Sequence, residues 1–300
     1  MRALPGPTER ASPAAQQRIL TWYRAHGRDL PWRHSRDPYR ILVAEVMLQQ
    51  TQVDRVLPKY DEWLTAFPTL QSLAEAPTAE VIRLWAPLGY NSRAVRLQAI
   101  ARQCVAGFGG KMPASFDELR QLKGVGRYTA GAVACFAYEQ PVTFWDTNIR
   151  RVLSRLFVGH DAQPSEAELE TLAAEALPED QAYDWHQALM DLGATICIAR
   201  NPRCDLCPAM DLCAAHPAIL FAPRMLAERK PSYNAQPFET TNRYFRGRVV
   251  DALRQQSPCS IKELAAHLGR DDKDWLENLV AGLARDGLLA RDGDRVSLPA

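Results

Sequence analysis

Four of the seven cysteines in this 300-residue chain fall within one stretch of 17 residues, and this clustering limits the possible folds more than any other feature. They are Cys197, Cys204, Cys207 and Cys213, separated by six, two and five residues. Four thiolates this close along a chain can surround one metal centre. Zinc ribbons usually have two well-separated Cys-x2-Cys pairs, whereas this stretch has one pair with uneven flanks, which favours a [4Fe–4S] cluster over zinc. Zinc and unligated thiols remain the alternatives.

The length and hydropathy of the chain are typical of a globular protein of about two domains. Hydrophobic residues make up 47% of the sequence, but no apolar run approaches the roughly 18–20 residues that a membrane-spanning helix needs. Residues 1–13 lack the apolar centre of a signal peptide and are interpreted as a disordered lead. We therefore expect a cytoplasmic protein, associated with the nucleoid when it is bound to DNA, with no membrane partner and no disulfides.

The net charge of +1 conceals a local asymmetry. Residues 120–160 carry a net charge of +4, whereas residues 161–185 carry eight acidic residues and neither Lys nor Arg. A basic surface beside an acidic one is typical of a protein that presents one face to a polyanion. Runs of solvated charge are also common in other proteins, so this pattern alone is a weak indication of nucleic-acid binding.

Apolar residues recur with helical spacing along most of the chain, which predicts an all-α fold. Short loops are expected at prolines such as Pro58 and Pro87. Residues 214–241 contain four prolines and are interpreted as a linker or extended strap.

Residues 242–300 read as three helices followed by a two-stranded hairpin, the order found in a winged helix. Ser260 and Glu263 have the spacing of a capping box, and Asp292 with Gly293 supplies the turn of the hairpin. Such modules bind DNA in many proteins and mediate protein contacts in others. Its first helix carries three arginines that could contact phosphates: Arg243, Arg246 and Arg248.

The segment LRQLKGVGRYTAGAVACFAY predicts two helices joined by a glycine-rich turn, a helix-hairpin-helix motif. The turn contains Gly124, Val125, Gly126 and Arg127. Glycine permits positive φ and close approach of another backbone, and the second helix begins with free N–H groups that can hold a phosphate. We therefore predict that these four residues grip a DNA backbone without reading its sequence. An ordinary helical hairpin with a glycine turn is the alternative.

Downstream of this hairpin, TFWDTNIRRVLSRLF places Asp146 at the predicted start of a helix, where an isolated Asp is most often an N-cap. The hairpin, this Asp and the cysteine stretch in this order resemble the helix-hairpin-helix, Gly/Pro-rich loop and Asp superfamily of base-excision DNA glycosylases. The resemblance runs from about Gln16 to Cys213. It implies that Asp146 is catalytic and that the four cysteines hold a [4Fe–4S] cluster.

Two further sequence segments indicate which branch of the superfamily the chain resembles. LPWRHSRDPYRILVAEVMLQQTQVDRVLPKY and LWAPLGYNSRAVRL are similar to MutY-like adenine glycosylases, and the resemblance implies that Glu45 is the second catalytic carboxylate. Endonuclease III-like enzymes have a Lys nucleophile two residues after the second hairpin glycine, where this chain has Tyr128. A phenol cannot form a Schiff base, so we expect a monofunctional glycosylase. Asn148 matches the last residue of the Asp-Gly-Asn pattern of the family.

Glu45 and Asp146 are a chemically sensible pair, since cleavage of an N-glycosidic bond needs an acid for the leaving base and stabilisation of an oxocarbenium ion. An apolar site would keep Glu45 protonated for the first task, and an ionised Asp146 would perform the second. The resemblance implies that Gln50 and Tyr90 enter the duplex when the base is flipped out. It also implies a base pocket lined by Trp32, Arg33, Leu48 and Tyr128, although core packing would explain Trp32 and Leu48 equally well.

The fold implied by the resemblance has a glycosylase core at residues 14–213, in which residues 34–143 form a six-helix barrel domain. Residues 14–33 and 144–213 would form an iron–sulfur helical domain, followed by the linker 214–241 and the winged-helix-like module 242–300. The MutT-like C-terminal domain that is usual in the family, with its Phe-Ser-His loop, has no counterpart in the sequence. The preference for the base opposite adenine is therefore left open.

The sequence thus predicts a monomeric DNA glycosylase of base excision repair that acts on double-stranded DNA with a mismatched or oxidised base pair. Its substrate is expected to be adenine opposite 8-oxoguanine or guanine. A thymine or uracil glycosylase for T·G or U·G pairs is one alternative, although Glu45 in the complete adenine-type string disfavours it. A catalytically silent lesion-binding protein is the other, and the retention of both carboxylates disfavours that.

Overall fold

The computed structural model describes residues 13–221 and 237–300. In these ranges the chain is mostly helical, and none of its helices is both long and apolar enough to cross a membrane. The α-helices are α1 Pro13–His26, α2 Pro38–Leu48, α3 Val53–Ala66, α4 Leu70–Glu75, α5 Thr78–Leu84, α6 Ser92–Gly107, α7 Phe116–Gln121, α8 Arg127–Tyr138, α9 Thr147–Leu153, α10 Glu166–Glu175, α11 Ala182–Thr195, α12 His216–Phe221, α13 Asn242–Gln255, α14 Ile261–Leu268 and α15 Lys273–Arg285. The strands are β1 Cys259–Ser260, β2 Ala290–Asp292 and β3 Arg295–Ser297.

The chain divides into two compact units, each assembled from separate stretches of sequence. In the described part of the chain, the first unit comprises residues 13–38, 114–117 and 126–221. The second comprises residues 39–113, 118–125 and 237–300. The domain boundaries derived from the sequence stay a prediction.

The core of the first unit lies among α1, α9 and α11. Ile19 from α1, Ile149 and Val152 from α9, and Trp185 and Leu189 from α11 are all almost fully buried. Ile149 and Val152 are three residues apart, as are Trp185 and the neighbouring Ala188, so each helix turns one apolar face inward. This packing fixes the start of α9, where Asp146 is located.

In the second unit, α2 is buried on all sides from Ile41 to Met47, which is typical of a central helix. Trp63 and Trp85 pack edge to face nearby, with ring centroids 5.3 Å apart. The prediction of a loop at Pro58 is wrong, because Pro58 lies inside α3. The loss of one backbone hydrogen bond is tolerated there because Val56, Tyr60 and Trp63 on the same helix are buried.

The C-terminal part of the second unit has the predicted helix order α13, α14, α15 followed by the β2–β3 hairpin. The Ser260–Glu263 capping box is confirmed. The turn that joins the two strands lies at residues 293–294, one residue later than predicted, because Asp292 is part of β2 and pairs with Arg295. The sheet has three strands rather than two, in the order β1-β3-β2, because β1 pairs with β3. Ile82 from α5 is fully buried in the apolar core of this module, so its core continues into the rest of the unit.

Two expectations fall partly or wholly outside the described residues. Residues 1–12 of the predicted lead and residues 222–236 of the predicted linker are not described. Within the part of the linker that is described, residues 216–221 form α12 and residues 238–240 form a 3-10 turn.

Candidate active site

Asp146 is the N-cap of α9, as its position in the sequence predicts. Its Oδ1 accepts a hydrogen bond from the Ile149 amide at 2.7 Å, and its Oδ2 accepts one from the Asn148 side chain at 2.9 Å. Asn148 in turn accepts a hydrogen bond from Arg151, 2.8 Å away, which also donates to the Gly193 carbonyl. Both carboxylate oxygens are thus held in one orientation on a half-buried residue.

Gly193 explains how Asn148 comes so close to α11. A Cβ at this glycine would lie only 2.7 Å from the Cβ of Asn148 and 3.3 Å from its backbone. Real Cβ atoms do not approach other atoms this closely, so only glycine allows α9 and α11 to pack at this separation. The position of the Asp146–Asn148 pair therefore depends on a glycine that lies 47 residues downstream of Asp146.

Arg33, predicted to line the base pocket, forms a buried ion pair with Asp191 of α11. Arg33 donates two hydrogen bonds to the carboxylate, at 2.7 and 2.8 Å, and the backbone amide of Arg28 donates a third at 2.9 Å. Burial by itself would raise the pKa of Asp191, but the hydrogen bonds and charge of Arg33 outweigh it and lower the pKa. Sequence reasoning missed Asp191; its only signal was a single acid between apolar residues of a helix. The neighbouring Trp32 is buried as well.

Tyr128 and Arg127 occupy the first turn of α8, after the hairpin glycines. The Tyr128 ring packs edge to face on Phe144, with centroids 5.7 Å apart, and Phe144 stacks on His186 at 4.0 Å. Arg127 is exposed, lies 4.9 Å from the ring centroid of Trp145 and forms an ion pair with an acidic residue of α10. Arg127 is therefore a surface cation held in place by its neighbours.

Gly124 and Val125 of the hairpin turn belong to the second unit, whereas Gly126 and α8 belong to the first. Gly124 has φ +100°, and a Cβ there would lie 2.8 Å from Cγ of Arg96, so glycine is required. Val125 is buried, and its amide donates to the Leu122 carbonyl at 3.0 Å. Gly126, the N-cap of α8, offers no side chain to the first amides of that helix. These amides are the groups that a phosphate would meet.

Glu45 lies in the buried helix α2, and only 6% of its surface is exposed. Leu48, at the end of the same helix, is half-buried. Glu45 is therefore a buried carboxyl on a helix whose other residues from Ile41 to Met47 are buried and apolar. Glu45 is in the second unit and Asp146 in the first, so the structure places them in separate units.

Gln50 and Tyr90 occupy two turns of the second unit with left-handed backbone, at φ +57° and +46°. The buried Arg93 joins these turns. It donates hydrogen bonds to the Val46 and Met47 carbonyls, 3.0 and 2.8 Å away, at the end of α2, and to the Gly89 carbonyl, 3.1 Å away. Burial, followed by the charge of Arg96, lowers the pKa of Arg93 to about 10. Arg93 was not predicted as a site residue, although it positions both residues that were.

The four clustered cysteines line one small cavity of about 30 Å³ in the first unit. All four are free, and burial raises the pKa of the Cys207 thiol to about 12. Arg155 closes one side: it lies 3.6 Å from Sγ of Cys197 and donates to the Ile198 carbonyl at 2.8 Å. In the described part of the chain, no three His, Cys, Asp or Glu side chains are arranged closely enough to hold a metal ion. The set of four thiols around one cavity nevertheless fits the donors that an iron–sulfur cluster requires.

The comparisons with known proteins identify the family of this chain. Residues 43–179 match the HhH-GPD superfamily of base excision DNA repair proteins. The chain belongs to this superfamily.

Over most of its length the chain is similar to proteins named adenine DNA glycosylase. It is 38% identical to the one from Mycolicibacterium smegmatis over 282 residues, which cover 92% of both chains. It is 40% identical to the one from Mycobacterium tuberculosis over 293 residues, 94% of this chain and 92% of that one. The human protein of the same name is 44% identical over 213 residues, which cover 67% of this chain and 39% of the human one.

Among solved structures, a thermostable thymine-DNA glycosylase has 31% identity and a TM-score of 0.67, and covers 71% of this chain and all of its own. A trapped endonuclease III–DNA covalent intermediate has 23% identity and a TM-score of 0.63 over 72% of this chain and all of its own, which shows the fold alone. The helix-hairpin-helix glycosylase fold predicted from the sequence is therefore confirmed.

Proposed function

We propose that this protein is a monofunctional adenine DNA glycosylase that removes adenine opposite 8-oxoguanine or guanine. The observation that carries the proposal is the carboxylate of Asp146, fixed at the start of α9 by Asn148 and the Ile149 amide. The similarity to mycobacterial proteins named adenine DNA glycosylase, over nine-tenths of the chain, supports adenine as the excised base.

In this proposal the two carboxylates divide the work of breaking the N-glycosidic bond. Glu45, buried in α2, donates a proton to the leaving base. Asp146 stabilises the positive charge that develops on the sugar, and Asn148 keeps it in position. The adenine must first leave the base stack, and Gln50 and Tyr90 take its place in the duplex.

Tyr128 at the position of the endonuclease III lysine supports the monofunctional assignment. Strand cleavage by a glycosylase of this fold needs an amine that forms a Schiff base with the sugar, and a phenol cannot do so. Borohydride should therefore trap little covalent complex between this protein and its substrate.

A base-release assay tests the proposal, with duplexes that carry A, T, U or C opposite 8-oxoguanine or guanine. We expect release of adenine only, and loss of release by at least about a hundredfold in Asp146→Asn and in Glu45→Gln, because each acts in the transition state. The matched control is Asp161→Asn, an exposed carboxylate of the first unit, which should behave as the wild type. Release of thymine or uracil instead would favour the alternative substrate, in line with the similarity to a thymine-DNA glycosylase. Undiminished release by Asp146→Asn would refute the mechanism.

We further propose that the four-cysteine cavity binds a [4Fe–4S] cluster through Cys197, Cys204, Cys207 and Cys213. When bound, the cluster would hold residues 197–213 in one conformation by joining thiolates that are distant along the loop. Protein purified without oxygen should contain about four irons per chain and absorb near ~400 nm. Cys204→Ala should lose the iron, whereas Cys259→Ala, a cysteine in the core of the C-terminal module, should retain it. One zinc and no iron would show that the metal has been misassigned.

The proposed substrate is double-stranded DNA, bound by one protein molecule. Light scattering of the complex with a mismatched duplex should give the mass of one chain and one duplex. A mass of two chains per duplex would contradict the monomeric assignment.

A further inference from the structure

The second unit contains an open groove of about 710 Å³, lined in part by Gln50 and Tyr90, whose arginines have no role in the proposed chemistry. One wall is α13 of the C-terminal module, and the other is formed by residues 86–92 together with Gln50. Five arginines line it, against the single carboxylate of Asp251: Arg55, Arg243, Arg246, Arg248 and Arg254. Such an excess of one charge in a concave site attracts ligands of the opposite charge.

Two of the five arginines have structural roles. Arg246 pairs with Asp286. Arg254 pairs with Asp251 at 2.5 Å and donates to the Ile82 carbonyl at 2.8 Å, which ties the module to α5. The charges of these two are already balanced within the protein.

The other three arginines are placed in the groove without a carboxylate partner in residues 13–221 and 237–300. Arg55 donates to the Pro87 carbonyl at 2.6 Å, and Arg248 donates to the His267 carbonyl at 3.1 Å. Arg243 lies 3.9 Å from the ring centroid of Tyr90, in a cation–π contact. These contacts orient the guanidinium groups but leave their positive charge for an anionic ligand.

The distribution of charge within the module also indicates which helix would meet nucleic acid. In an ordinary winged helix, the third helix enters the DNA groove. Here residues 270–285, which contain α15, carry three basic and four acidic residues, whereas α13 carries four arginines and one Asp. The face that suits a polyanion is therefore on α13, along the groove.

We propose that this groove binds the sugar-phosphate backbone of the duplex beside the mismatched pair. The inference rests on the proposed function, in which Tyr90 and Gln50, on the opposite wall of the groove, enter the duplex. Arg243 and Arg248 are five residues apart, about 7.5 Å along the helix axis at 1.5 Å per residue. Side chains five residues apart also diverge by about 140° around a helix of 3.6 residues per turn, so the two groups contact separate phosphates rather than a single anion. The C-terminal module strengthens binding next to the inserted Tyr90 without reading bases.

The salt dependence of duplex binding tests this. Each phosphate contact contributes about 0.9 to the slope of log K against log salt. The double variant Arg243→Ala/Arg248→Ala should thus make this negative slope shallower by about 1.8. Between 50 and 200 mM salt, two contacts correspond to about a 12-fold change in affinity. The matched control, Arg285→Ala/Arg295→Ala, removes the same charge from exposed positions of the module outside the groove and should keep the wild-type slope.

Binding is measured by anisotropy on an undamaged duplex and on a G·A duplex, so that the result does not depend on base release. Arg243→Lys/Arg248→Lys restores the charges and should restore the slope, which separates lost contacts from misfolding. Equal slopes for the two alanine variants, or a reduced slope in a folded lysine variant, would overturn the proposal. If Arg243→Ala/Arg248→Ala reduces the salt slope as expected but the wild type releases no adenine, the proposed function fails and the backbone-binding site stands.

Discussion

Replacing Asp191 by Asn should destabilise the first unit more than any ordinary surface substitution, because Asp191 is the counter-charge of the buried Arg33. Its side chain is 1% exposed and that of Arg33 is 7% exposed. The carboxylate accepts from both terminal nitrogens of Arg33 and from Nε and the amide of Arg28. The Nε of Arg33 already lacks a partner in the described structure.

Asparagine removes the negative charge and turns an amide donor toward these donors. Removal of one partner of a buried ion pair costs about 3–5 kcal/mol, because the other charge is left uncompensated. Since proteins are stable by about 5–15 kcal/mol, the variant should lose about a fifth or more of its stability. We expect a correspondingly lower urea midpoint, followed by circular dichroism, with little change in the slope of the transition.

The matched control is Asp184→Asn on the same helix, α11. Asp184 is partly exposed and lies 3.9 Å from Arg24, so its loss should change stability by less than about 1 kcal/mol. The pKa of Asp191 is lowered in the folded state, so its contribution is present above the unfolded pKa of about 3.9 and is lost as pH falls through the lower folded value. The difference between wild type and Asp191→Asn should therefore persist from pH 7 to 5 and shrink below about pH 4. A loss under about 1 kcal/mol at pH 7 would refute the argument that this ion pair is buried and essential.

Two further predictions concern neighbouring residues. Gly193→Ala should slow single-turnover adenine release and cost about 1–3 kcal/mol of stability, because its Cβ would displace Asn148 from Asp146. Gly107→Ala is the control, since a Cβ there would meet open space. Equal behaviour of the two variants would contradict the close approach of Gly193 to Asn148. Burial lowers the pKa of His186 to about 4, so stability should fall by up to about 3 kcal/mol as pH is lowered from about 6.5 to 4, when the unfolded chain takes up a proton that the folded chain does not. His186→Phe retains an aromatic ring against Phe144 and should flatten this acid-side decline in urea denaturation; an unchanged decline would assign it to another group.

The sequence by itself determined the features that depend on residues a few positions apart. The glycine turn at 124–126, the N-cap at Asp146 and the Ser260–Glu263 capping box each involve backbone groups within about four residues. The apolar spacing determined which helix faces are buried, and the cysteine spacing indicated that four thiols would meet. The sequence segments that resemble MutY-like glycosylases supplied the expected roles of Glu45 and Tyr90, and the structure does not test these roles.

Only the tertiary structure decided which distant groups meet. Arg33 and Asp191 are 158 residues apart in sequence, and Arg254 lies 172 residues from the Ile82 carbonyl that it contacts. Arg93 was indistinguishable in the sequence from a surface arginine, and Pro58 from a helix breaker. A periodic pattern specifies the face that a helix buries but not the helix that covers it. The partner of a buried charge, the close approach at Gly193 and the arginine groove beside Tyr90 therefore arise only when the packed helices fix their separations.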